Sequence, residues 1–187
     1  MTSLVAFTVL VALVAVERLA ELVVSKRNAA WSLERGGVET GFGHYPFMVV
    51  LHSGLLVGAL VEAWVRRPDV PPALAWSMLA LVIASQALRW WCITTLGRRW
   101  NTRVIVVPGL APVTSGPYRF FKHPNYVAVV VEGIALPLVH AAWITALVFT
   151  VLNAALLVVR IRVEDAALAT LPRADAPAEP RTEAAGA

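Results

Sequence analysis

A run of 33 residues, Val127 to Val159, contains a single formal charge, Glu132, and lies between two polar clusters. The first is Gly116-Pro-Tyr-Arg-Phe-Phe-Lys-His-Pro-Asn-Tyr126 and the second is Arg160-Ile-Arg-Val-Glu-Asp165. One straight helix of that length would extend about 50 Å at about 1.5 Å per residue, against a bilayer core of about 30 Å. A break is available at Pro137, beside a short polar patch at His140. The run is therefore expected to fold back as a helical hairpin, with arms of about 15 to 17 residues, near the short limit for a span. Doubling back returns both polar clusters to one membrane face, where together they form a candidate site.

The rest of the chain supports a home in lipid. Hydrophobic residues make up 58% and charged residues 15%, with a mean hydropathy of +0.69, which excludes an ordinary soluble domain. The net charge of +4 is not gathered into a stripe or groove, so no nucleic-acid partner is expected. Cys92 is the only cysteine, which excludes an internal disulfide and a cysteine-based metal cluster. It reads as a small packed side chain.

The first apolar stretch, Leu4 to Val24, has no basic residue before it and no small-residue cleavage site after it, so it reads as a retained span. Further spans are expected at about Pro46 to Val65 and Ala73 to Ile93, followed by the two hairpin arms. The fold class is thus all-α integral membrane, with about five transmembrane helices. Lys and Arg residues then fall unevenly, twelve on one side of the membrane and only Arg66 and Arg67 on the other. The positive-inside rule places the N-terminus outside and the C-terminus in the cytoplasm, across an inner (cytoplasmic) membrane. Three regions follow: spans one to three over residues 1–96, a loop and hairpin over 97–168, and an Ala-, Pro- and Glu-rich tail over 169–187 that reads as disordered.

Between spans three and four, Gly97 to Pro124 holds a β-branched stretch, Val104-Ile-Val-Val107, and then Pro108-Gly109, Pro112 and Gly116-Pro117. Proline and glycine at this density forbid a continuous helix and predict a folded cytosolic loop. A loop of this length in so small a protein points to function.

At its end, Pro124 suits the first turn of a helix, where its missing N–H has no consequence, and places His123 at the cap. One reading is a plain helix start, with Tyr126 at the interface and Lys122 snorkelling. The other has Tyr118, His123 and Tyr126 lining a polar cofactor pocket, where aromatic faces also suit a cation. Arg160 and Glu164 are four residues apart on one helix face. A surface ion pair there would contribute little, whereas ionisable groups at a membrane boundary point to function. Glu132, inside span four, either faces the same cavity or is a packed, hydrogen-bonded carboxylate. Glu17, Arg18 and Glu21 form a polar face on span one, with Gln86 and Arg89 as candidate partners. Gly54-Leu-Leu-Val-Gly58 reads as a close helix contact. His44 and His52 are eight apart, and Pro46 between them argues against a shared helix face, so no metal site is expected.

These residues carry a resemblance. Gly116-Pro-Tyr-Arg119, His123-Pro-Asn-Tyr126, an apolar hairpin and Arg160-Ile-Arg-Val-Glu-Asp165 resemble the isoprenylcysteine carboxyl methyltransferase family over about residues 97 to 168. Arg27-Asn28, Glu39-x-Gly41 and His44-Tyr-Pro-Phe-Met-Val49 to Leu51-His52 are similar to its bacterial branch, some members of which O-methylate alkylpyrones or alkylresorcinols made by type III polyketide synthases. The resemblance implies an integral membrane enzyme using S-adenosylmethionine on a lipophilic acceptor: an alkylpyrone, an alkylresorcinol or a prenylcysteine-type carboxylate. It implies catalytic roles for Arg160 and Glu164. Cofactor contacts are expected from Tyr118, His123, Pro124, Tyr126 and Glu164, with Glu132 as a further candidate. One departure is that the family commonly closes its motif with two glutamates, where this chain has Glu164 and Asp165. No Gly-x-Gly-x-x-Gly fingerprint is present, so a soluble Rossmann site is not expected. The competing readings are a membrane reductase using NADPH and a non-enzymatic membrane scaffold. The expected partners are membrane lipids, the acceptor in the bilayer and an upstream type III polyketide synthase.

Overall fold

A computed structural model of the chain describes residues 2–172. The apolar stretches are helical because, in lipid, each backbone N–H and C=O must find its partner within its own segment. Five helices result: α1 (Thr2–Leu33), α2 (Tyr45–Arg66), α3 (Pro72–Leu96), α4 (Pro124–Leu138) and α5 (Trp143–Leu168). Four of them are long and apolar enough to cross a membrane, and α4, at 15 residues, is shorter. Prolines open α2, α3 and α4 at the first or second helical position, where a missing N–H breaks no bond. The bundle interior is built from small and branched side chains, among them Val11, Ala59, Ala63, Val82, Ala135 and Leu136. The alanines let backbones approach, while Leu13, Val61, Ile83, Leu147 and Val151 face outward as a lipid-facing surface.

Two expected boundaries move. α1 continues past Val24 to Leu33, and its last turns hold the loop after α3, with Ser25 accepting from Thr102 N–H and Asn28 donating to Trp100 O. The hairpin forms, but its arms are unequal, with 15 residues in α4 and 26 in α5. Pro137 does not break the chain. It sits in the last turn of α4, and the reversal follows at residues 139–142, where Ala141 takes φ 53°. The Pro137 carbonyl accepts from Ala142 N–H at 3.0 Å and so closes that turn. At Gly133 a Cβ would run into the Phe149 ring of α5, so the glycine lets the short arm lie directly against the long one. Of the pair Gly54 and Gly58, only Gly58 faces another helix, with Thr145 of α5 at 3.2 Å from its Cβ position.

At the far end of the hairpin, α5 begins beside the C-terminal part of α2. Glu62 accepts from Ile144 N–H at 3.1 Å, from Thr145 N–H at 2.8 Å and from the Thr145 hydroxyl at 2.8 Å. It thereby caps a helix whose own sequence provides no capping side chain. At the near end, β1 (Val38–Thr40) pairs antiparallel with β2 (Val104–Val106) in the register Val38↔Val106, Glu39↔Ile105, Thr40↔Val104. This ribbon ties the segment after α1 to the loop after α3. Residues 169–172, expected in the tail, instead turn at the end of α5, with Thr170 N–H donating to Ala167 O. The remainder of the expected disordered tail lies outside the described residues.

Candidate active site

The loop before α4 is pressed onto the end of α3. Gly116 has φ 57°, and a Cβ there would meet Thr95 Oγ1 at 2.5 Å and Trp91 Nε1 at 3.2 Å. Glycine is thus required twice over, by its backbone and by the contact. The short 3-10 turn that follows, Gly116–Arg119, aims Tyr118 at the buried Cys92. Burial pushes the Tyr118 phenol above its ordinary pKa of 10.0, with the Cys92 thiol adding to the shift. Pro124 then starts α4, with Tyr126 N–H donating back to His123 O at 3.1 Å.

Beneath this loop lies a cavity of about 360 Å³, within the range of small-molecule sites. Its apolar wall comes from Trp100, Val104, Leu110, Pro112 and Val113, and its polar wall includes Tyr118, Lys122, His123, Tyr126, Arg160 and Glu164. The hairpin brings together residues that stand far apart in sequence. Tyr126 donates its hydroxyl to Glu164, and Arg160 Nε donates to the same hydroxyl at 2.9 Å. His123 stacks on Tyr126 with ring centroids 5.4 Å apart. Its Nε2 lies 2.9 Å from Asp165 Oδ1, and its Nδ1 approaches Glu164 Oε1 at 3.5 Å, an ionic contact rather than a hydrogen bond. Glu164 first, and then Asp165, hold the imidazole above its ordinary pKa of 6.5 against the opposing pull of burial. Lys122 completes the cluster at 2.8 Å from Asp165.

Arg160 is 6% exposed, yet no carboxylate forms an ion pair with it among the described residues. Its partners are the Tyr126 hydroxyl, Thr102 O at 2.7 Å and Met48 Sδ at 3.2 Å. A guanidinium carries about five N–H donors. Three are engaged here, one each from Nε, Nη1 and Nη2. Glu164 balances the charge only at one remove, through the Tyr126 hydroxyl, so the guanidinium keeps spare donors at the cavity wall.

Glu132 is elsewhere. It does not line the cavity; its carboxylate lies 3.0 Å from Arg18 and 3.1 Å from Arg89. With Glu21 at 2.6 Å from Arg18, and Gln86 linking Arg18 to Glu17, it joins α1, α3 and α4 inside the bundle. The structure places Glu132 with these two arginines and not among the residues that line the cavity. Pro124 is buried at the helix start and is absent from the cavity wall, which leaves it a positioning role through His123.

Other residues at the site had no prior signal. Ser32, Trp100, Asn101 and Asn125 are among the residues lining the cavity, while Ser32 Oγ, Trp100 Nε1, Asn125 Oδ1 and both amide atoms of Asn101 are shielded from solvent, with no hydrogen-bond partner among the described residues. Ser32 belongs to the extension of α1 and Asn101 to the loop. Neither position carries a periodic pattern or a motif. Only Asn125, inside the His-Pro-Asn-Tyr cluster, stood in a segment already singled out.

Comparison with known proteins agrees with this geometry. A 163-residue alignment with an uncharacterized protein, YpbQ, of Bacillus subtilis is 39% identical and covers 87% of this chain and 96% of the relative. An uncharacterized protein of Haemophilus influenzae is 25% identical over 155 residues, covering 82% of this chain and 90% of the relative. No solved structure matches the chain. The profile of the isoprenylcysteine carboxyl methyltransferase (ICMT) family matches residues 78–170. Those residues run from within α3 to the end of α5 and include most of the cavity wall. The chain therefore belongs to the isoprenylcysteine carboxyl methyltransferase family.

Proposed function

We propose that the protein is an S-adenosylmethionine-dependent O-methyltransferase that modifies a lipophilic acceptor at the cytoplasmic face of an inner membrane. The observation that carries this reading is Arg160, a buried guanidinium with unused donors and no directly ion-paired carboxylate, on the wall of a cavity that also gathers Tyr118, Lys122, His123, Tyr126 and Glu164. That cavity fits a nucleoside-bearing, zwitterionic cofactor. The apolar wall of Trp100, Val104, Leu110, Pro112 and Val113 suits its base, while Lys122, His123 and Glu164 suit its amino-acid end. When bound, the cofactor supplies a methyl group on a sulfonium sulfur.

The chain contributes position, charge and dryness. Arg160 orients an anionic acceptor oxygen, and Tyr126 holds Arg160 in place through its hydroxyl. Glu164 accepts from that hydroxyl and keeps its lone pairs directed at the guanidinium. The stacked rings of His123 and Tyr126 offer aromatic faces toward a cation. β2 and the loop form one wall of the cavity, and alignment with desolvation once the ligands are bound provides most of the acceleration that methyl transfer needs. The acceptor class follows from Arg160: a carboxylate or an acidic enol or phenol, as in a prenylcysteine, an alkylpyrone or an alkylresorcinol. A small lipid delivered by a type III polyketide synthase is the preferred member.

Calorimetric titration of the detergent-solubilised protein with S-adenosylmethionine tests the assignment. Glu164→Ala is expected to abolish measurable binding, and Arg160→Ala to lower turnover more than cofactor affinity. Unchanged affinity in the Glu164 variant would count against the proposal.

A further inference from the structure

Behind the loop that follows α3 lies a second hollow, an open groove of about 520 Å³ between the last turn of α1 and the end of α3. Its walls of Leu96, Val107 and Leu110 also line the cavity, so the two lie back to back at one end of the bundle. Arg35, Arg98 and Arg99 line the groove, and among the described residues no carboxylate does. Two of these arginines are held in place. Arg35 lies over the Trp31 ring at 4.5 Å and donates to Trp31 O at 3.2 Å, and Arg99 donates to Ala111 O at 2.7 Å. Arg98 is exposed, and among the described residues its side chain makes no hydrogen bond or ion pair. Glu34 stands 3.8 Å from Arg35 with both side chains exposed, a pair too weak to neutralise the groove.

Position narrows the partner. The third span is expected to end near Ile93, and Arg98 follows it by about 8 Å at the helical rise. A headgroup layer adds about 5 to 8 Å to each side of the hydrocarbon core, and tryptophan is enriched at that depth. The arginines therefore stand level with lipid phosphates, which a guanidinium grips with paired N–H donors. A free phosphate would meet the same charge but has no use for the apolar wall of Leu96, Val107, Pro108 and Leu110. A phospholipid uses both.

We propose that the groove between α1 and α3 binds the headgroup of an anionic phospholipid, with Arg35, Arg98 and Arg99 around its phosphate and the apolar wall against its glycerol end. The assignment stands on the groove alone and holds whatever the neighbouring cavity binds.

Native mass spectrometry of the full-length protein, released from a neutral detergent, reads which ligands stay bound. The ligands are dioleoyl phosphatidylglycerol, dioleoyl phosphatidylcholine and glycerol phosphate. Wild-type protein is expected to hold phosphatidylglycerol in preference to the other two. Arg35→Gln combined with Arg98→Gln is expected to weaken phosphatidylglycerol about 10- to 30-fold and to leave phosphatidylcholine unchanged. Arg67→Gln combined with Arg162→Gln removes the same charge from exposed positions elsewhere and is expected to leave both lipids unchanged. Should the first pair fail to fold, Arg98→Gln alone carries the comparison at about fivefold. Equal weakening by the two pairs would assign the effect to diffuse surface charge and overturn the proposal, as would equal retention of the two lipids by wild-type protein. Glycerol phosphate held as tightly as phosphatidylglycerol would mark a site for soluble phosphates and overturn the lipid assignment.

Discussion

Tyr126 is the residue through which the site's charges meet, since its hydroxyl stands between Arg160 and Glu164 while its ring backs His123. His123 gives this arrangement a pH dependence whose sign can be worked out. Its folded pKa is raised above 6.5, chiefly by Glu164. Folding therefore favours the protonated ring, and the stabilisation is fully present below about pH 6.5 and lost as the pH rises through the folded value. Thermal melts of the solubilised protein are expected to fall from mildly acidic to mildly alkaline pH, and those of His123→Gln to fall less. Parallel curves would rule out the ion-pair cluster as the cause. At this scale the legible residues were those that stood out against lipid. His123, Tyr126, Arg160 and Glu164 bracket an oily run, where polar groups demand an explanation. Asn101 sits among other polar residues of the loop after α3, Ser32 lies near the end of α1, and nothing in their spacing marks them.

The α4–α5 hairpin turns Arg160 and Tyr126, 34 positions apart, into neighbours. Its existence was readable, because a run of 33 residues with a single formal charge is too long for one crossing. Its geometry was not. Proline at 137 marks a helix end in sequence, but the turn falls after it, because the backbone closes through the Pro137 carbonyl and α5 starts where Glu62 can cap it. Glu62 belongs to α2, so no inspection of the hairpin's own residues reveals the cap. Glu62→Ala strips the acceptors from two main-chain N–H groups at the start of α5. It is expected to cost about 1–3 kcal/mol of stability in denaturant titrations of the detergent-solubilised protein, with binding of S-adenosylhomocysteine by the folded fraction unchanged. A loss of binding with full stability would instead place the cap within the site. Gly133 is similar: its need to be glycine appears only once Phe149 is seen against it.

At the scale of the whole molecule, the segment after α1, the loop after α3 and the end of α5 gather at one end of the bundle, linked by the β1–β2 pair and by the bond from Arg160 to Thr102. Arg66 and Arg67 close α2 at the opposite end. With the charge bias of the sequence, this predicts the sidedness of the protein in the cell. In a Cys92→Ser background, Asp69→Cys is expected to react with a membrane-impermeant thiol reagent from outside, and Glu34→Cys only after the membrane is permeabilised. Reversed labelling would place the cavity on the wrong side for a cytoplasmic cofactor. The clustered charges of Arg18, Glu21, Arg89 and Glu132 hold α1, α3 and α4 together in the same bundle, and Glu132 is the clearest case of a residue whose role composition could not decide. A carboxylate inside a span must have a partner, which is a local rule; which partner it has depends on what the other helices present.

Composition and the lengths of the apolar runs were enough to determine that this chain is a helical membrane protein with a doubled-back C-terminal segment. The reason is that lipid leaves backbone polar groups no partners outside their own helix. The tertiary structure alone decided which polar groups share a cavity and which neutralise one another. Those pairings depend on distances of a few ångströms between helices, and linear spacing does not record them.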